Sequence, residues 1–106
     1  MDKKIYFLHL CYAPAIEAGE EFGMNARVIL AQGALESGWG TSLLAGEHHN
    51  FFGLMAYGAS NAYWHGEQAV FESAYGTHRF RHYESPRLSF LDFARLIRSA
   101  YPRAWQ

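Results

Sequence analysis

The sequence predicts an α+β domain of three helices and one β-hairpin, a mainly helical lobe beside a small hairpin lobe. Three observations carry this. Apolar residues recur every three or four positions in three stretches: Ile5, Leu8, Tyr12 and Ile16; Val28 to Leu35; and Leu88, Leu91, Ala94 and Ile97. Two short runs, Gln68 to Phe71 and His78 to Tyr83, read as strands around a turn near Ala74-Tyr75-Gly76-Thr77. Half of the 106 residues are apolar, enough for one compact core and one domain over residues 1–106.

The first helical stretch, Ile5 to Phe22, contains Pro14, so the regular helix is expected to begin there, with an extended or kinked front part. Gly23 is placed to stop it. Asn25 is the expected N-cap of the second helix, Ala26 to Ser37. That helix is apolar almost all round, which predicts a central, buried position. Its mid-helix Gly33 is expected to leave room for another backbone or a ligand, and Gly38 and Gly40 end it. Thr41 to Ala45 reads as a short helical turn and Gly46 to Asn50 as a polar loop. Ser85-Pro86 starts the last helix, with Ser as cap and Pro in first position, and Pro102 ends it.

Charge excludes some functions. The formal net charge is −1 and the basic residues are scattered, so no nucleic-acid partner is expected. No segment is long enough to insert across a bilayer. Lys3-Lys4, the apolar run to Tyr12 and Ala13-Pro14-Ala15 have a faint signal-peptide look, but the run is short and holds His9. A single cysteine, Cys11, precludes an internal disulfide and reads as a buried core thiol. Among the six histidines, His48-His49 and the pair His78 and His82 lack a third ligand at metal-site spacing, so neither a metal nor another cofactor is expected. No feature of the sequence sets an oligomeric state.

The most informative stretch is Ala34-Leu35-Glu36-Ser37-Gly38-Trp39-Gly40. An acid closes an otherwise apolar helix. Burial, the negative end of the helix dipole and apolar shielding by Trp39 would all favour its protonated form, as a general acid requires. The same residue also fits a surface glutamate at a frayed helix end.

Ile29-Leu30-Ala31-Gln32-Gly33-Ala34-Leu35-Glu36-Ser37-Gly38-Trp39-Gly40-Thr41-Ser42 resembles the catalytic helix of the family 73 glycoside hydrolases, the flagellar-type and autolysin-type N-acetylglucosaminidases. Four further blocks follow in the family's order. They are Asn50-Phe51-Phe52-Gly53, Trp64-His65-Gly66, Phe80-Arg81-His82-Tyr83-Glu84-Ser85 and Ser89-Phe90-Leu91-Asp92-Phe93. The resemblance implies a lysozyme-like helical lobe with a small β-lobe across a groove. It also implies cleavage of the bond following N-acetylglucosamine in the glycan strand of peptidoglycan, and hence action at the cell wall, in the periplasm or outside the cell. Glu36 stands at the family's general-acid position. The second carboxylate belongs in the hairpin, which is shorter here than in the flagellar versions. Glu72 fits best and Glu67 next, while Glu47 and Glu84 read as solvated and Asp92 as a surface residue of the last helix. The family usually continues past the point where this chain stops and carries a functional tyrosine there, which is absent here unless Tyr101 or another aromatic stands in.

As a hydrolase, the chain would use Glu36 to protonate the glycosidic oxygen, with Glu72 activating a water or attacking as a nucleophile; in a third route the substrate's own N-acetyl oxygen is the nucleophile and Glu72 matters less. Asn50, Phe51, Tyr57, Tyr63 and Trp64 are the candidates for sugar binding, Asn50 toward an N-acetyl group or as a turn cap. Phe52 is expected in the core. Two other activities fit the same lobe: a lytic transglycosylase, and a glycan-binding module without turnover.

Overall fold

A computed structural model describes residues 2–103. Its elements run α1 (Lys3–Phe22), α2 (Ala26–Ser37), α3 (Leu43–His48), β1 (Gln68–Ser73), β2 (Gly76–Arg81) and α4 (Pro86–Ala100). Helix α1 lies against both α2 and α4. The core between them is built from Phe7, Cys11, Ala15 and Ala18 of α1, Ile29 and Ala34 of α2, and Phe90, Leu91 and Ala94 of α4. Phe51 and Phe52, from the loop after α3, fill its centre. Phe52 stacks on Phe93 with ring centroids 3.9 Å apart and meets Phe90 edge-on at 4.8 Å, so its expected core place is the observed one.

Helix α1 does not begin at Pro14. It begins eleven positions earlier, at Lys3, and passes through the proline. The Asp2 carboxylate caps the start, accepting from the backbone N–H of Lys4 at 2.8 Å and of Ile5 at 3.3 Å. Pro14 removes one helical hydrogen bond, to the carbonyl of Leu10. Burial of Phe7 and Cys11 on the same stripe as Ala15 and Ala18 holds the helix together across that gap. This N-terminal stretch is thus an integral part of the core.

Helix α2 keeps its expected bounds, with Asn25 accepting from Arg27 and Val28. It is not buried all round: Val28 and, at 75%, Leu35 are exposed. With α1 and α4 covering one side and no further layer outside, its opposite flank faces solvent. Gly33 opens no space for a ligand. A Cβ there would lie 3.1 Å from a ring carbon of Phe90 and 3.2 Å from one of Phe52, so the glycine admits two core rings against the helix backbone. At the start of α4, Pro86 takes the first helical position, but the Ser85 side chain caps nothing.

The hairpin is longer than the sequence suggests at its tip. Strands β1 and β2 pair antiparallel from Gln68↔Arg81 to Ser73↔Gly76, leaving only Ala74 and Tyr75 in the turn. Gly76, at φ 123°, accepts the conformation that so tight a turn demands. The outer edge of β2 is covered by residues 54–56: Arg81 N–H donates to Leu54, Ala56 N–H donates to Arg79, and Met55 bridges Phe80.

Cys11 is fully buried, and burial pushes its thiol up to about 12. A thiol-specific disulfide reagent at pH 8 is therefore expected to leave the native protein unlabelled and to label it stoichiometrically in unfolding concentrations of urea. Labelling at the rate of a free thiol without denaturant would contradict the described packing of α1.

Candidate active site

The C-terminal end of α2 is fixed in unusual detail. Gly38, Trp39 and Gly40 are three successive residues of positive φ, at 58°, 59° and 79°. For Trp39 that conformation carries a steric cost, and the surroundings hold it there. The buried Ser37 hydroxyl donates to the Gly33 carbonyl at 2.6 Å and accepts from the Gly40 N–H at 2.8 Å. Trp39 N–H closes onto the Ala34 carbonyl at 2.8 Å, and Ser42 N–H onto the Ser37 carbonyl. Glu36 is thus carried on a rigid terminus, the placement an acid of defined direction needs.

Its surroundings differ from expectation. Glu36 is exposed, and its carboxylate accepts a hydrogen bond from Gln32 Nε2 at 2.9 Å, one turn back. The Trp39 indole turns away from it, edge-on to Phe7 at 5.6 Å and beneath the Lys4 ammonium at 5.1 Å. Neither protein burial nor the indole encloses the acid.

Glu72 sits near the end of β1, exposed, and both its oxygens accept from the Thr77 hydroxyl across the hairpin, at 3.1 and 2.9 Å. No hydrogen bond or ion pair among the described residues joins it to Glu36: one carboxylate stands on each lobe. Glu47, Glu67 and Glu84 are exposed.

The aromatic and amide candidates divide. Tyr57 is 73% exposed and available to a sugar ring. Tyr63 is half-buried, edge-on to Phe22 of α1. Phe51 is 2% exposed and belongs to the core, and Trp64 is buried with its indole N–H donating to the Glu67 carbonyl at 2.8 Å. Neither offers a ring face to a ligand. Asn50 is also buried, and its side chain is fully engaged. It donates to the carbonyls of Leu54 and Arg81 and accepts from the N–H groups of Phe52 and Leu54. Its work is to fasten the loop after α3 to β2, and it holds no hydrogen-bonding capacity for an N-acetyl group.

Asp92 is the residue the sequence reading misplaced. It is fully buried at the junction of the two lobes. One of its oxygens accepts from Arg81 Nη1 at 2.7 Å and the Tyr83 hydroxyl at 2.5 Å. The other accepts from Asn61 Nδ2 and from Nε and Nη2 of Arg95. Arg81 also donates to the carbonyls of Met55 and Tyr57 and lies over the Trp64 ring at 4.2 Å. Burial, with Asp92 beside it, holds the Tyr83 hydroxyl strongly toward its protonated form. This cluster ties β2, the 55–64 loop and α4 into one piece and sets how the hairpin meets the helices. Asp92 lies inside the run Ser89-Phe90-Leu91-Asp92-Phe93, and its neighbours' burial was the signal that could have revealed it.

The histidines also pair otherwise than by strand periodicity. His48, at the end of α3, meets His82, with Nδ1 to Nδ1 at 2.9 Å, so one ring donates and the other accepts. His49 is shifted toward its neutral form by burial and by these two neighbours, and His78 bonds Ser73.

A helical lobe joined through a buried polar cluster to a two-stranded lobe is the lysozyme-like layout, and the comparisons agree. The chain belongs to the glucosaminidase family described as mannosyl-glycoprotein endo-beta-N-acetylglucosaminidase, whose sequence profile matches residues 12–106. It is 37% identical to the peptidoglycan hydrolase FlgJ of Pseudomonas aeruginosa, over 78% of this chain and 23% of that protein. Among solved structures, it resembles the glycoside hydrolase domain of Salmonella typhimurium FlgJ at a TM-score of 0.76 and 33% identity, covering 97% of this chain and 64% of that one. It also resembles a peptidoglycan hydrolase from Sphingomonas sp. A1 at 0.68 and 28%, covering 87% of this chain and 60% of that one. The chain therefore spans about a quarter of the FlgJ relative and under two thirds of the solved domains.

Proposed function

We propose that this domain hydrolyses the glycan strand of peptidoglycan at the bond following N-acetylglucosamine, with Glu36 as general acid. The observation that carries the reading is the placement of Glu36: a solvent-accessible acid on a helix end locked by Ser37, in a chain of the glucosaminidase family. The relatives named peptidoglycan hydrolases supply the substrate class.

Glu36 protonates the glycosidic oxygen as the bond to the anomeric carbon breaks, and the sugar passes through a cation-like transition state. Glu72 is the carboxylate of the opposite lobe and takes the proton of the attacking water. Such a division of labour leaves room for a water between the carboxyl groups, which inverting enzymes hold roughly 6.5–9.5 Å apart. Glycan binding, which sequesters the carboxyl groups from water, would supply the environment that the free protein does not give Glu36. Tyr57, exposed, and the half-buried Tyr63 are the aromatic candidates for a sugar ring. Action on this substrate places the domain at the cell wall, in the periplasm or outside the cell.

Digestion of purified peptidoglycan in ¹⁸O-labelled water tests the reaction class. Hydrolysis is expected to release fragments ending in reducing N-acetylglucosamine that carry one heavy oxygen. Anhydro ends without the label would identify a transglycosylase. Glycan binding without release would identify a module that does not turn over.

A further inference from the structure

We propose that His65, Glu67 and Glu84 form a binding site for one divalent transition-metal ion of the zinc class, which clamps together the two ends of the hairpin lobe. One imidazole nitrogen and one oxygen from each carboxylate lie within 4.8 Å of one another. His65 Nδ1 and Glu84 Oε1 are already 3.8 Å apart. Ligand bonds of roughly 2.0–2.2 Å in tetrahedral geometry put donor atoms about 3.4 Å from each other. All three side chains are exposed, so no packed neighbour blocks their closing on an ion.

The backbone beneath them is fixed. The Glu67 carbonyl accepts from the Trp64 indole and from the His82 N–H, joining the approach to β1 to the exit from β2. Glu84 directly follows buried Tyr83. The donors therefore converge from two chain segments whose separation is set before any ion arrives.

Charge gives a second, independent reason. Two carboxylates meet here, and no lysine or arginine among the described residues pairs with either. The nearby arginines are committed elsewhere: Arg81 to Asp92, Arg79 to Gln68 and Arg87 to Glu17. The cluster thus offers two carboxylate oxygens and one imidazole nitrogen as donors. That combination suits zinc, nickel or copper better than calcium or magnesium, which take oxygen ligands. Binding closes the loop containing the hairpin and so stabilises the folded state. It also engages Glu67, leaving Glu72 as the hairpin carboxylate free for chemistry.

The test is calorimetric titration of the chelator-treated full chain with zinc chloride, alongside thermal unfolding. The expected result is saturable binding of one ion with a rise in Tm of about 10 °C at a hundredfold excess over Kd. Affinity should fall at least tenfold in His65→Ala and in Glu84→Gln and stay unchanged in His48→Ala. All three side chains of the site are exposed, so these variants are expected to fold, and circular dichroism checks it. Absence of saturable binding would overturn the proposal. So would binding that survives His65→Ala or disappears with His48→Ala, or equal binding of magnesium.

Discussion

Asp92→Ala is expected to destabilise the domain by about 3–5 kcal/mol, the cost of leaving a buried, hydrogen-bonded arginine without its counter-charge. Arg81 is 5% exposed and cannot turn to water without abandoning the carbonyls of Met55 and Tyr57. For a domain of this size, such a loss corresponds to a fall in Tm of at least about 12 °C. It is also a large part of a total stability of about 5–15 kcal/mol. Urea and thermal unfolding monitored by circular dichroism measure it. Replacing both partners, in Arg81→Met with Asp92→Leu, should cost less than Asp92→Ala alone, because no unpaired charge then remains buried. A cost below about 1 kcal/mol for Asp92→Ala would mean that the cluster does not clamp the lobes.

Glu36→Gln has the opposite profile. The side chain is exposed and its one hydrogen bond in the structure is from Gln32, so stability should change by less than about 0.5 kcal/mol. Turnover of peptidoglycan should nevertheless fall by roughly 10²–10⁴-fold, the contribution typical of a positioned general acid. Rates of turbidity loss at matched folded-protein concentration read this directly. A variant that unfolds, or one that keeps most of its activity, would contradict the role assigned to Glu36. The Asp92 and Glu36 predictions together separate a residue that builds the site from one that acts in it.

Local signals were readable from the sequence wherever a single turn of chain decides the outcome. Asn25 as a cap, Gly23 and Gly38 as helix stops, Pro86 at a helix start and the two-strand hairpin all depend on neighbours a few residues away. Pro14 was misleading because its local preference is overridden by the burial of Phe7 and Cys11, which only tertiary packing reveals. The position of Glu36 was legible from the family blocks. Its exposure was not, because the sequence does not say which side of an all-apolar α2 the other helices cover. Leu35 and Val28 show the result.

The same limit explains the aromatic candidates. Phe51, Trp64 and Tyr57 look equally suited to stack on a sugar, since an aromatic ring serves a core or a groove with the same chemistry. Only the fold sends the first two inward and leaves Tyr57 outside. Asp92 and the trio His65, Glu67 and Glu84 share another cause. Their partners lie on separate stretches of chain: the Arg81–Asp92 pair joins β2 to α4, and the pairing of β1 with β2 brings Glu84 back to His65 and Glu67, which no helical or strand period encodes.

Hydrolysis after N-acetylglucosamine is proposed to depend on Glu36. The most direct test is side-by-side digestion of purified peptidoglycan by the wild type and Glu36→Gln, with the products resolved by mass spectrometry. Reducing-end N-acetylglucosamine fragments are expected from the wild type and should be lost in the variant. The same fragments in equal yield from both proteins would contradict this dependence.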